Sequence, residues 1–330
     1  MMAMRDRTTY FRATSLALIA LLLGMTASLS LPADPAPDLQ PDESSLHTVA
    51  SMGYFPGSDS GSIYTNTTLT VGGSSTCAVA QDGSMRCWGS NTWGQTGLWP
   101  FANNPTPSPS WLVQHHSPSS NWNQTWTEVV GGNQHYCGIT DNKDMYCWGQ
   151  GRWGQLGVGD ANWENTEPRK TIFADDRETI EVAPATLHTC SISPIRNSTP
   201  DHQSVFCWGN NGVGQLGTAG GPDNTHPTRA LLPQGSVPVG IASSWEHTCA
   251  TLSNGTGLCW GNNSHGQLGD ISLAERNTPT PVRLIPAGRY IVQMSTGIAH
   301  TCALLDDGSI ACWGDNQAGQ LGNGLSLIHI

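Results

Sequence analysis

His300-Thr301-Cys302-Ala303-Leu304-Leu305-Asp306-Asp307-Gly308-Ser309-Ile310-Ala311-Cys312-Trp313-Gly314-Asp315-Asn316-Gln317-Ala318-Gly319-Gln320-Leu321-Gly322 carries a pattern that the 330-residue chain repeats five times. The other copies centre on Cys77/Cys87-Trp88-Gly89, Cys137/Cys147-Trp148-Gly149, Cys190/Cys207-Trp208-Gly209 and Cys249/Cys259-Trp260-Gly261. Each is followed by Gly-Gln-x-Gly. The second cysteines, at 87, 147, 207, 259 and 312, set a period of 52–60 residues. That is the size of a supersecondary unit that buries its apolar face only by stacking on its neighbours.

The spacing within a copy shows what the unit is made of. In four copies the cysteines lie ten apart, and in three of these a turn falls midway: Gln81-Asp82-Gly83, Ser253-Asn254-Gly255 and Asp306-Asp307-Gly308. A three-residue hairpin loop, a type I turn closed by a left-handed residue, calls for Gly at its third position. Counting outward from it pairs Leu304 with Ile310, Ala303 with Ala311 and Cys302 with Cys312, so the two sulfurs face each other across one hairpin. All ten cysteines are thereby assigned, as Cys77–Cys87, Cys137–Cys147, Cys190–Cys207, Cys249–Cys259 and Cys302–Cys312. Opposed strand residues have Cβ atoms roughly 4.5–5.5 Å apart, slightly beyond disulfide reach at about 3.5–4.5 Å, so strand twist must close the gap. Two copies depart: Lys143 stands where Gly is wanted, and the third has a seven-residue insertion at its hairpin tip.

A strand-like run precedes each first cysteine, as in Thr127-Glu128-Val129-Val130, Thr179-Ile180-Glu181-Val182 and Tyr290-Ile291-Val292-Gln293-Met294. After each Gly-Gln-x-Gly turn comes a Pro-rich return segment such as Thr278-Pro279-Thr280-Pro281-Val282. Four short strands per unit, Gly/Pro punctuation and no helical period describe an all-β chain built of propeller blades.

The composite His-x-Cys-x-x-x-x-x-Gly-x-x-x-Cys-Trp-Gly-x-Asn-x-x-Gly-Gln-Leu-Gly resembles the repeat of the regulator of chromosome condensation family, in the cysteine-paired variety of exported microbial proteins. The resemblance covers about 68–324. It implies a ring of blades, usually seven, so the five countable here are read as a truncated seven-bladed ring. A complete five-bladed ring would instead need its last strand from residues 60–75. The first copy has Ser75-Thr76-Cys77 in place of the His, and the second has Gly151 where the others have Asn91, Asn211, Asn263 and Asn316.

Flanking segments divide the rest. Residues 1–30 read as a signal peptide or an uncleaved N-terminal anchor, with Arg5, Arg7 and Arg12 ahead of an apolar run from Leu16 to Leu23. Residues 31–67 form a linker rich in Pro, Ser and acidic residues, too poor in apolar side chains to order. Residues 325–330 match the translation of a transposon end and are read as a non-native tail. Paired cysteines and a secretory leader point to an oxidising compartment, hence a secreted or cell-surface location. Asn66, Asn123, Asn197 and Asn254 begin glycosylation sequons.

Phosphate-loop, zinc-protease and nucleophile-elbow motifs are missing from the sequence, so no catalytic residue, metal ligand or cofactor is expected. With 14 Lys+Arg against 25 Asp+Glu, the surface opposes nucleic acid. The nucleotide exchange known in the family is not expected in an exported acidic chain. Residues that recur from copy to copy (His135, His188, His247 and His300 in four copies, the Cys-Trp-Gly indoles and the Gly-Gln-x-Gly amides in all five) are read as architecture. The histidines are expected to hydrogen-bond within their own blades, each indole to wedge between blades, and each Gln to tie a turn to neighbouring backbone. Non-repeated indoles are better contact residues. Trp99, Trp111, Trp122 and Trp245 are the candidates, on loops that would bind an extracellular protein or glycan. A secreted enzyme inhibitor and an extracellular hydrolase or lyase are the alternatives.

Overall fold

The computed structural model describes residues 68–80, 83–98, 103–109, 125–162, 164–198 and 203–324. All lie within the compact unit Val49–Ile330, and none in residues 1–48. The leader, the linker and the tail fall outside the described residues.

Five antiparallel sheets follow one another along the chain. The first holds β1 (Thr68–Val71), β2 (Ser75–Val79), β3 (Met85–Gly89) and β4 (Asn104–Pro109). The second holds β5 (Trp126–Gly131), β6 (His135–Thr140), β7 (Met145–Gln150) and β8 (Glu164–Lys170). The third is β9 (Glu181–Pro184), β10 (His188–Ile192), β11 (Val205–Gly209) and β12 (Asn224–Arg229), and the fourth β13 (Pro238–Ser243), β14 (His247–Leu252), β15 (Gly257–Gly261) and β16 (Arg276–Pro281). In the fifth, β17 (Ile291–Thr296), β18 (His300–Leu305) and β19 (Ile310–Gly314) make three described strands. The strands of each sheet pair in chain order, and the main contacts between sheets join chain neighbours, as β1 with β5, β5 with β9, β9 with β13 and β13 with β17. These are propeller blades. Because Thr68–Val71 pairs with Ser75–Val79 as the first strand of the first blade, that segment does not supply a closing strand to the fifth.

Hairpin register follows from the turns. Leu304 opposes Ile310, Ala303 opposes Ala311 and Cys302 opposes Cys312, while Gly308 takes φ 81°. Every cysteine pair sits at one opposed position with Cα atoms 4.1 Å apart and sulfurs 2.07–2.16 Å apart, the inserted third hairpin included. This Cα spacing is tighter than the ~4.5 Å of an ordinary non-hydrogen-bonded pair, so the strands pinch at the bridge. Pro279 and Pro281 lie on the outermost strand of their blade, where a missing ladder donor costs least.

The core is divided among the seams between blades. One cluster joins Ile192, Val205 and Cys207 of the third blade to Ala250, Leu258 and Trp260 of the fourth, and others fill the neighbouring seams. Glycine is required where backbones cross. Gly209 of Cys-Trp-Gly has φ 106°, and a Cβ there would lie 2.6 Å from the Leu187 carbonyl oxygen.

Candidate functional site

At each seam the repeated residues make one hydrogen-bonded unit. The indole N–H of Trp208 donates to the Gln155 carbonyl at 2.8 Å, and the hydroxyl of Thr189, opposite Trp208 on the same hairpin, donates to that same oxygen at 2.8 Å. Trp260 with Thr248 does the same on Gln215, and Trp313 with Thr301 on Gln267. Trp148 donates to the Gln95 carbonyl at 3.1 Å. The final Gly of the second, third and fourth Gly-Gln-x-Gly turns lets the indole in: a Cβ on Gly157, Gly217 or Gly269 would lie 2.7–2.8 Å from the Nε1 of the next blade's Trp.

The histidines correct an expectation. His135, His188 and His247 bond across the seam and not within their own blades. His135 Nε2 lies 2.8 Å from Thr189 Oγ1, His188 Nε2 2.8 Å from Thr248 Oγ1, and His247 Nε2 3.0 Å from Thr301 Oγ1. Each threonine has already given its one proton to a glutamine carbonyl, so its oxygen accepts and the imidazole carries its proton on Nε2. Nδ1 of the three rings is buried with no hydrogen-bond partner among the described residues. A charged ring would be stranded there, and burial holds all three histidines down to about 3.

The first seam uses a different pair. Ser75 occupies the histidine position, and Tyr136 occupies the threonine position and fills the space with its phenol, whose Oη lies 2.9 Å from Ser75 Oγ. Tyr136 stacks on Trp148 with ring centroids 6.0 Å apart.

Glutamine works at two levels. Its side chain stays in its own turn: Gln155 Oε1 accepts from the Trp153 N–H at 2.9 Å and Gln215 Oε1 from the Val213 N–H at 3.0 Å. The backbone carbonyl is what reaches the neighbour. The Asn of each motif likewise accepts from a backbone N–H five residues on, as Asn263 does from Leu268 at 3.0 Å. At Gly151 a Cβ would lie 2.4 Å from the Asn162 carbonyl oxygen, so backbone takes the room an Asn would need.

With the repeated residues absorbed by the seams, contact surfaces fall to what varies. Trp245 lies in the turn between Ser243 and His247 and is 45% exposed. Trp93 and Trp153, half-buried, precede the Gly-Gln turns at the same end of the blades, and the guanidinium of Arg152 sits 5.3 Å from the Trp153 ring centroid. Trp99, Trp111 and Trp122 lie outside the described residues.

Hairpin tips occupy the opposite end, where the third-blade insertion is anchored on one side. Arg196 donates to Asp144 at 2.9 Å, to the Asn142 carbonyl at 2.7 Å and to Asp176 at 3.0 Å, tying the insertion to the second blade's tip. An antiparallel bridge joins Ile195 to Arg177. On its other side the insertion walls a cleft of about 460 Å³, closed by the connection at 231–237 and lined in part by Arg177, Ile195, Gln203, Arg229, Leu232 and Val237. Sequence reasoning noted the insertion and missed this cleft, because its far wall comes from a connection some thirty residues later. Asn197 and Asn254, both exposed, also lie on tips.

Inside the propeller, Glu181 Oε1 accepts from the Ile241 N–H at 3.1 Å. Burial pushes Glu181 up to about 7, against that hydrogen bond and with help from the nearby Glu128 carboxyl, itself raised by burial. Among the described residues, no three His, Cys, Asp or Glu side chains are placed to hold a metal ion, and no helix is long and apolar enough to cross a membrane.

Fold, seam chemistry and repeat pattern define a class, and comparison fixes it. Two family models, both described as the Regulator of chromosome condensation (RCC1) repeat, match residues 67–95, 126–155, 239–267 and 291–320, and residues 144–192, 203–251 and 254–304. The chain belongs to this family. Among relatives, it is 29% identical over 259 residues to the Ultraviolet-B receptor UVR8 of Arabidopsis thaliana, covering 78% of this chain and 55% of the receptor. It is 33% identical over 200 residues to the Probable E3 ubiquitin-protein ligase HERC6 of Homo sapiens, covering 59% of this chain and 19% of the ligase. The chain thus spans about half of the first relative and a fifth of the second. The crystal structure of human WBSCR16 superposes with TM-score 0.64 at 20% identity, covering 80% of this chain and 66% of that one, a likeness of fold alone.

Proposed function

We propose that this chain is an exported or cell-surface propeller scaffold that binds another protein through variable loops and has no catalytic activity of its own. One observation carries the reading: three of the four described seams repeat the same hydrogen-bonded unit, whereas the third blade alone carries a hairpin insertion, which builds a cleft. Relatives named as a receptor and a ligase are consistent with a propeller that serves recognition. Export is supported by the closure of every cysteine into a bridge and by the basic, then apolar, start of the sequence. On this reading residues 1–30 are the leader or anchor, residues 31–67 space the propeller from it, and Trp99, Trp111, Trp122 and Trp245 contribute contact surface.

The test has two parts. Fractionation, N-terminal sequencing and non-reducing peptide mapping should find the mature chain outside the cytoplasm, with each bridge inside its own blade. Crosslinking on intact cells should then trap a protein through loop residues. Recovery of cytoplasmic, reduced protein would overturn export, and exclusive capture of glycan would overturn the partner class.

A further inference from the structure

We propose that the cleft between the third-blade insertion and the 231–237 connection binds an extended segment of the partner protein in which a carboxylate side chain sits among aliphatic ones. This rests on the scaffold reading and names the chemistry of its ligand. The cavity, about 460 Å³, is of the size that encloses a few side chains. Its lining includes two arginines and no acidic residue, in a chain where Asp and Glu outnumber Lys and Arg 25 to 14.

The two cations are not equivalent. Arg177 is committed: it donates twice to Asp175, at 2.6 and 2.7 Å, and once to the Ser193 carbonyl at 2.8 Å, and lies 4.3 Å from the Phe206 ring centroid. Arg229 is exposed and its guanidinium makes no hydrogen bond or ion pair with any described residue, so it is the group left to meet an anion. Gln203 adds a second requirement. Its Oε1 is buried with no donor among the described residues, and such an acceptor seeks an N–H. Ile195, Leu232 and Val237 supply apolar wall between them. Together they call for a carboxylate, a backbone N–H and aliphatic surface. An extended peptide offers all three, whereas a fatty acid has no donor for Gln203 and a phosphate has no aliphatic part. The wall on which the segment would lie is already fixed by the Arg196 contacts, which lowers the ordering cost of binding.

The probes are two peptides labelled with fluorescein at the amino terminus, Leu-Ile-Glu-Leu and Leu-Ile-Gln-Leu, titrated with the full chain and read by anisotropy. The Glu peptide should bind about tenfold more tightly at low salt, as for a charge-assisted hydrogen bond, and the advantage should shrink as salt is raised. Arg229→Gln, at an exposed position that leaves the melting curve in place, should abolish the difference. Gln203→Leu should weaken both peptides alike. Equal binding of the two peptides, or a difference that survives Arg229→Gln, would overturn the inference. Capture of an extracellular protein whose affinity is unchanged by Arg229→Gln would also overturn it while leaving the scaffold reading in place. Selective peptide binding by a chain that crosslinks to no protein on cells would sustain the cleft and sink the scaffold.

Discussion

Thr248 stands between two blades: its Oγ1 receives the Nε2 proton of His188 at 2.8 Å and donates its own to the Gln215 carbonyl at 3.1 Å. One hydroxyl thus takes the Nε2 proton of a buried ring and shares with Trp260 a carbonyl that the seam would otherwise leave to the indole alone. Thr248→Val keeps the shape and removes both bonds. It should cost about 1–3 kcal/mol in denaturant unfolding, the range for stranding a buried polar group, with Thr248→Ser restoring most of it.

The buried rings predict acid sensitivity. Folded values near 3 for His135, His188 and His247 lie below the 6.5 of a free histidine, so the unfolded chain binds more protons and stability falls as pH drops from about 6.5 toward 3. Glu181 acts the other way: held up to about 7 against 4.5, it favours the folded state below pH 7 and loses that contribution as pH rises through 4.5–7. Three histidines outweigh one glutamate. At pH 5.5 unfolding should take up about two protons from these groups, a slope of about 2–3 kcal/mol per pH unit, measurable as the pH dependence of the urea midpoint.

Ser75 and Tyr136 should behave as a coupled pair. Ser75→His alone drives an imidazole into the phenol, and Tyr136→Thr alone opens a void beside Trp148. The double variant rebuilds the arrangement of the other seams. A double-mutant cycle should return a coupling of about 1–3 kcal/mol. Additive effects would show that the two positions relax independently.

Lys143 holds φ 62° at the hairpin position that Gly83, Gly255 and Gly308 fill. Left-handed backbone costs a side-chain-bearing residue about 1–2 kcal/mol. Lys143→Gly should therefore raise stability by about 1 kcal/mol after the entropy cost of glycine, read from the same unfolding curves.

Trp208 is fully buried on the Gln155 carbonyl, whereas Trp245 is 45% exposed. Replacing Trp208 by Ala should cost about 3–5 kcal/mol. Trp245→Ala should stay within about 0.5 kcal/mol, so any loss of partner binding in that variant reports on contact and not on unfolding.

What the sequence disclosed was whatever depends on local spacing. Hairpin register follows from a midway glycine and ten-residue spacing, because turn geometry alone pairs Cys302 with Cys312. The strand before Cys190 is Glu181–Pro184, two residues later than the run Thr179-Ile180-Glu181-Val182 suggested; Thr179 N–H instead donates to the Lys143 carbonyl of the blade before. Contacts between blades were harder to read. That His188 meets Thr248 sixty residues away, and that Tyr136 compensates for the serine at 75, depend on how one sheet lies on the next, and no spacing within a copy encodes that offset. The cleft is illegible for the same reason.

The pairing of Ser75 with Tyr136 also bears on how such an array could be rearranged. The third, fourth and fifth blades each present threonine behind and histidine ahead, so a duplication or exchange among them would reproduce a working junction. A copy carrying threonine placed behind the first blade would leave a hole where the phenol now lies, and the second blade placed behind any other would force that phenol into an imidazole. The two leading repeats are keyed to each other, and their order in the chain is protected from recombination that the later repeats would tolerate.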